Sequence, residues 1–331
     1  MDDAKPGLTP RPVAARLLPV PRTVSPELQA AISASAALAT EVPPRAPGTE
    51  AQWRAMIAAS EALGLDRLKT VREAFPCRVT ELDLGGVTAR EVLAKGVDPA
   101  GPALLHFHGG AYVIYGGESG LIEAVLAAGH TGRRVISVDY RMPPDHPFPA
   151  ALDDAVAAWS ALIGVQDAAA TGVFGTSAGG GLILALVHRL KDLGLPLPGA
   201  LAPSTPWSDL AGDSDSYRVN AGVDSVLPFY EGVLEACARL YAGETPLADP
   251  LISPVNGDFA GFPPALLTTG TRDILLSDTV RVYRAMRAAG CEARLEVYEG
   301  LSHAEYSVAF TSPESRSVFA DIGRWFDRWL R

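Results

Sequence analysis

One serine stands among four glycines in GTSAGGG, residues 175–181, between the apolar runs TGVF and LILALV. Gly175-Thr176-Ser177-Ala178-Gly179 has the form G-x-S-x-G, placed between an expected strand and an expected helix. A serine held on such a sharp turn needs neighbours two residues away that lack side chains, which glycine supplies. The turn lifts Oγ clear of the strand and sets the partial positive charge of the helix N-terminus beside it. A phosphate cradle is the weaker reading, because the run lacks the Lys-Ser/Thr pair and no G-x-G-x-x-G is present. A glycine packing corner with an incidental serine remains open on this stretch alone.

A serine hydroxyl needs a base to take its proton, and the chain has six histidines. His303, in EGLSHAEY, follows the last expected strand and precedes the last helix, where the order nucleophile, acid, base requires it. His188 lies eleven residues past Ser177 in a helix and reads as a surface residue. His130 ends a helix, where positive charge is favourable. His146 sits in the turn MPPDHPFP and reads as structural, as does His106. Elimination leaves His303. The carboxylate that orients it should end a strand between the two, and Asp273 in LLTTGTRDILLSD does so. Asp278 competes, but its position at the start of a helix explains it by charge complementarity.

An alkoxide forming at the acyl carbon needs backbone donors. HFHGGAYV, residues 106–113, follows an apolar strand, and its turn could present the N–H groups of Gly109, Gly110 and Ala111, joined by that of Ala178. His108 would hold the turn.

From about residue 78 strand and helix alternate: paired strands around Gly85-Gly86, then ALLHFH, RRVISVDYRM, TGVFGTS, GALAPSTPW, PALLTTGTRD and ARLEVYEG, with helices between them. That alternation specifies an α/β fold with a mostly parallel central sheet, helices on both faces, and chemistry at the carboxyl ends of the strands. Two amphipathic segments precede it. SPELQAAISASAALATEV carries Ser25 as cap and Pro26 at the first helical position, and TEAQWRAMIAASEALGLDRLK follows. Residues 1–75 thus read as a helical cap segment and 76–331 as the catalytic domain. Residues 207–262 interrupt the alternation as a cap insertion, with Trp207, Tyr217, Phe229 and Tyr230 expected mainly in its core. The formal net charge of −10 argues against nucleic acid or an anionic membrane as partner. No run of eighteen apolar residues suggests a membrane span, and the N-terminus lacks the apolar stretch of a signal peptide. Cys77, Cys237 and Cys291 lie far apart and read as buried free thiols of a cytoplasmic protein.

HFHGGAYV, VDYRMPPDHPFPAALDD, GTSAGGG, TRDILLSD and LSHAEY occur in the order found in the hormone-sensitive-lipase-like (bacterial family IV) esterases, which the chain resembles over residues 80–331. The GTSAG form is similar to one subgroup. The resemblance implies an α/β-hydrolase fold and a carboxylesterase using Ser177, Asp273 and His303 on short- to medium-chain esters or lactones, with no metal or cofactor. It also implies a homodimer. Ala111 stands where the family usually has glycine, which keeps the N–H but adds a Cβ that narrows the pocket and opposes positive φ. Amide or carbamate hydrolysis and acyl transfer would use the same three residues. A binding protein that has abandoned catalysis would commonly lose one of them.

Overall fold

The structure is a computed structural model that describes residues 11–15, 17–35 and 42–330. Helix α1 (Pro26–Ser35) begins as its sequence dictates: Ser25 Oγ accepts from Leu28 N at 3.2 Å, with proline at the first position. Residues 36–41 of that expected helix, and residues 1–10, lie outside the described residues. Thr49 caps α2 (Glu50–Ala74) by accepting from Gln52 N.

Strands β1 (Cys77–Asp83) and β2 (Thr88–Ala94) form the expected hairpin. β3 (Ala103–Phe107), α3 (Ile122–Thr131), β4 (Arg134–Val138), α4 (Ala150–Ile163), β5 (Gly172–Thr176), α5 (Ala178–Leu193) and β6 (Ala200–Ser204) follow. A single 3-10 turn at Gly117–Leu121 leads into α3. The interrupting segment carries α6 (Ser216–Val219) and α7 (Val233–Ala242). After it come β7 (Ala265–Gly270), α8 (Leu276–Ala288), β8 (Ala293–Tyr298), α9 (Glu305–Val308) and α10 (Pro313–Trp329).

Among the described residues the strands form one sheet in the order β1-β2-β4-β3-β5-β6-β7-β8, antiparallel across β1-β2-β4 and parallel from β4 onward. The central strands β3, β5 and β6 are buried at every residue, as parallel strands covered on both faces must be. One apolar core joins the sheet to α4, α5 and α8, and a second joins its other face to α1, α3 and α10. Trp207, Tyr217 and Tyr230 are buried in the first core and Phe229 is half-buried.

Three sequence expectations change. His188 is buried rather than superficial: its Nε2 donates to Pro254 O at 3.1 Å, and its ring packs edge-on to Phe259 and Phe262. His130 does not serve as a cation at a helix end. Its ring lies between Phe75 and Phe319, and burial, with Arg316 nearby, lowers its pKa. Asp278 is fully buried and accepts from Ser208 N and Asp209 N at 2.8 Å each, so it anchors the interrupting segment rather than complementing its own helix. Cys237 and Cys291 are buried and Cys77 is half-buried, all unpaired.

Candidate active site

The residues singled out in the sequence gather at the carboxyl ends of strands that are adjacent in the sheet. Gly109–Ala111 follow β3, Ser177 follows β5, Asp273 follows β7 and His303 follows β8, with Thr205 after β6 between them. Of these, Gly109, Gly110, Ala111, Ser177 and His303 line a cavity of about 430 Å³.

Ser177 has φ 60° and ψ −121°, a strained conformation for a residue with a side chain. The strain is tolerated because the surroundings fix the turn: Ser177 N donates to Ser204 O at 3.0 Å, and Ser177 O accepts from Gly181 N and Trp207 N at 2.9 Å each. A Cβ on Gly175 or Gly179 would collide with the carbonyl oxygen of Phe107, so both positions need glycine for close approach. Gly180 and Gly181 allow close packing of the helix start: a Cβ on Gly180 would be 3.1 Å from Ser204 O at the end of β6 and would meet Pro206, and one on Gly181 would collide with Trp207 O.

The backbone N–H groups of Gly109, Gly110 and Ala111 donate to no acceptor among the described residues. Ala178 opens α5, where the first N–H groups have no partner within the helix. Gly109 lies against the elbow, for a Cβ there would be 2.9 Å from Thr176 O and 3.3 Å from Ser177 Cβ. Ala111 adopts φ 52° despite its Cβ. The turn is held from behind by His108, whose Nδ1 donates to Gly109 O at 2.6 Å while its ring stacks on Tyr140 with centroids 4.3 Å apart. Tyr140 OH donates to His108 O at 2.7 Å. Burial lowers the His108 pKa to about 4, so that ring is a neutral strut.

His303 Nδ1 lies 3.2 Å from Asp273 Oδ1 and 2.9 Å from Thr205 Oγ1. A carboxylate only accepts, so a proton shared with Asp273 sits on Nδ1, and the lone pair is then on Nε2. Asp273 is in turn fixed: Leu275 N donates to Oδ1 at 2.8 Å and Thr269 Oγ1 to Oδ2 at 2.7 Å. Burial disfavours the imidazolium of His303. The hydrogen bond to Asp273 and the charges of Asp273, Asp224 and Asp278 outweigh it, leaving the pKa above the ordinary histidine value. Ser177 lines the cavity, and no hydrogen bond of its Oγ is formed among the described residues.

Sequence reasoning missed the polar supports. Thr205 was readable only as the first residue beyond an apolar strand, and Asp224 carries no local signal within the interrupting segment. Glu123 lies beneath the elbow and lines the cavity. It accepts from Thr176 Oγ1, and its other oxygen is 3.1 Å from His106 Nε2, which gives the expected structural role of His106 its partner. Trp207, Tyr217, Phe229 and Tyr230 do not line the cavity, whereas Val226, Leu227 and Leu234 of the same segment do.

This fold and this arrangement of strand-end residues define the α/β-hydrolase class. A family model described as the alpha/beta hydrolase fold matches residues 104–307. An acetyl-hydrolase of Streptomyces hygroscopicus is 34% identical over 242 residues, covering 72% of this chain and 80% of that protein. The structure of the esterase E25 superimposes with a TM-score of 0.93 at 40% identity, covering 97% of this chain and 99% of that one. An esterase from the bacterial hormone-sensitive lipase family superimposes with a TM-score of 0.80 at 30% identity, covering 93% and 99% of the two chains. The chain belongs to the hormone-sensitive-lipase-like esterases of the α/β-hydrolase fold and is a carboxylesterase.

Proposed function

We propose that the chain hydrolyses short- to medium-chain carboxylic esters or lactones through an acyl-enzyme on Ser177, with His303 as base and Asp273 as its orienting acid. The observation that carries this reading is the convergence of Ser177 and His303 on one cavity while His303 Nδ1 is anchored to Asp273 at 3.2 Å. With Nδ1 engaged, Nε2 takes the Ser177 proton as Oγ attacks the acyl carbon. The developing oxyanion is met by the N–H groups of Gly110, Ala111 and Ala178, with Gly109 setting the turn against the elbow. The imidazolium then protonates the departing alcohol, and water repeats the sequence on the acyl-enzyme.

The cavity volume of about 430 Å³ suits a small ester, since small-molecule pockets run from about 300 to 1,000 Å³. Its walls divide by origin. Asp66, Arg67, Thr70 and Val71 of α2 supply one part, and Val226, Leu227 and Leu234 supply another. Helix α2 and the segment 207–262 therefore act together as the cap, with Val226, Leu227 and Leu234 as the apolar contact for the acyl chain.

Hydrolysis of p-nitrophenyl esters from acetate to palmitate by the native chain and by Ser177→Ala tests the proposal. The native chain is expected to prefer the shorter esters, and the variant to lose at least about 10⁴-fold in kcat. Equal activity in the two proteins would refute the nucleophile.

A further inference from the structure

Asp224 belongs to the interrupting segment, yet it is 2% exposed and its carboxylate is shared among three separate stretches of chain. Oδ1 accepts from Val226 N and Leu227 N, both at 2.8 Å. Oδ2 accepts from Ile274 N at 2.8 Å and from His303 N at 3.0 Å. Val226 and Leu227 line the cavity, Ile274 follows Asp273 in sequence, and His303 is the base itself. One buried side chain thus joins the wall of the cavity to both loops that carry the acid and the base. Its neighbours reinforce the connection. Asn220 Nδ2 donates to Asp273 O at 2.8 Å, and Ser225 Oγ donates to Glu305 Oε1 at 3.0 Å and accepts from Ser302 Oγ at 2.8 Å.

Resting on the assignment of Ser177, Asp273 and His303, we propose that Asp224 is a positioning residue of the esterase reaction: it clamps the Val226–Leu227 wall to the acid and base loops and so fixes the imidazole against Ser177. A general structural role would not require this distribution of bonds. The two donors on Oδ1 are local and make an ordinary turn of the kind aspartate forms with its own backbone. The two on Oδ2 come from 50 and 79 residues away and from the two loops whose relative placement sets the His303–Asp273 distance. Four N–H donors favour a charged carboxylate, whereas burial and the charge of Asp273 oppose it; the balance raises the Asp224 pKa to about 7. The charged groups facing it are Asp273 and His303, and its charge in turn helps hold the His303 pKa up.

Two substitutions separate the local turn from the long-range clamp. In Asp224→Asn the amide oxygen can serve Val226 and Leu227, but the amide NH₂ then faces the N–H groups of Ile274 and His303. In Asp224→Ser a hydroxyl can still form the local turn and cannot span to the other loops. Both variants are expected to keep a cooperative melt and to lose on the order of 10- to 100-fold in kcat on p-nitrophenyl butyrate, the cost of a misplaced catalytic group, with KM changed less than about threefold. The acid limb of kcat/KM is expected to move to lower pH by the share of support that the ionised fraction of Asp224 gives the imidazolium near pH 7, a smaller shift than loss of a fully charged carboxylate would give. Folded variants with kcat within about twofold of native and an unmoved acid limb would overturn the proposal. So would the failure of both variants to fold, which would make Asp224 a residue of stability alone. Ser177→Ala, assayed alongside, keeps the two readings apart. An active Ser177→Ala removes the nucleophile assignment, whereas an inactive one with unaffected Asp224 variants removes only the clamp.

Discussion

Replacing Asp273 by asparagine removes one negative charge while nearly preserving the shape of the side chain. In the native site Oδ1 serves His303 Nδ1 at 3.2 Å and Leu275 N at 2.8 Å. An amide oxygen in that place still accepts from both, and the Thr269 hydroxyl, which donates to Oδ2 at 2.7 Å, can rotate to accept from the new NH₂. The fold is therefore expected to survive. What disappears is attraction between the carboxylate and the imidazolium that forms as Ser177 is deprotonated. Across 3.2 Å, with an effective dielectric constant of about 20, that attraction is about 5 kcal/mol. The Thr205 hydroxyl, 2.9 Å from Nδ1, retains orientation but not charge. The expected fall in kcat is about 10³- to 10⁴-fold.

The sign of the pH effect follows from the same balance. Only neutral imidazole accepts the serine proton, so kcat/KM rises as pH climbs through the His303 pKa. Asp273 is the chief support that holds this pKa above the ordinary value against burial, so the native acid limb should have its midpoint above about 6.5. Without the carboxylate, burial dominates and the midpoint moves to lower pH. The assay is p-nitrophenyl butyrate hydrolysis by both proteins from about pH 5 to 9, with circular dichroism to confirm folding. An asparagine variant that keeps more than about a tenth of native kcat, or whose acid limb stays put or rises, would refute the reasoning.

Two further substitutions probe the loop and the cavity. Ala111 holds φ 52°, which costs a residue with a Cβ about 1 kcal/mol, so Ala111→Gly should raise stability by up to that amount while leaving kcat within about twofold, since the N–H donor is unchanged. Calorimetry together with the ester assay checks this, and a lower melting temperature would contradict it. Leu227 lines the cavity beside Val226, so Leu227→Trp should shorten the accepted chain, reducing kcat/KM on octanoate by at least about tenfold while acetate changes little. A uniform loss across the acyl series would place Leu227 away from the acyl chain.

The parts of the molecule legible in sequence are those governed by local rules. Alternating apolar segments and turns announce the strands and helices, and the glycines at 175 and 179 announce a backbone that must pass close to another, which proves to be the Phe107 carbonyl. Ser177, Asp273 and His303 could be singled out as candidates because each follows a strand and their order along the chain is constrained. Thr205 and Asp224 could not, because their partners lie 98 and 79 residues away and nothing in their own neighbourhoods marks them. His188 was misread for a related reason: a polar residue late in a helix looks exposed until the segment ending near Pro254 folds over it. Ala111 shows the opposite limit. The preference for glycine at positive φ is real, yet the surrounding turn, stapled by Val113 N and Ile114 N donating to Gly110 O at 2.9 Å, imposes the conformation regardless.

The precision of the site is inherited from the register of the sheet. Thr176 pairs with Ser204 across β5 and β6, and the pairing continues past the strand end as Ser177 N donates to Ser204 O at 3.0 Å. Ser204 pairs with Thr268 across β6 and β7, and Thr205 N continues to Thr268 O at 2.6 Å. Gly270 pairs with Tyr298 across β7 and β8, and Thr271 N continues to Tyr298 O at 3.0 Å, followed by Arg272 N to Leu301 O at 3.1 Å. Each loop bearing a chemical group is thereby tied to the neighbouring strand for one or two residues beyond the regular ladder. A slip of one residue in any parallel pair would turn the side chain of Ser177, Thr205 or Asp273 to the opposite face. Backbone pairing accounts for the placement of Ser177, Thr205 and the loop that carries Asp273. His303 lies beyond the last of these bonds, and its backbone N–H is held instead by Asp224. His303 thus depends for its backbone anchor on a side chain from the interrupting segment, and the same segment reaches the Asp273 loop through Ile274 N and Asp273 O, which ties the wall of the cavity to both loops.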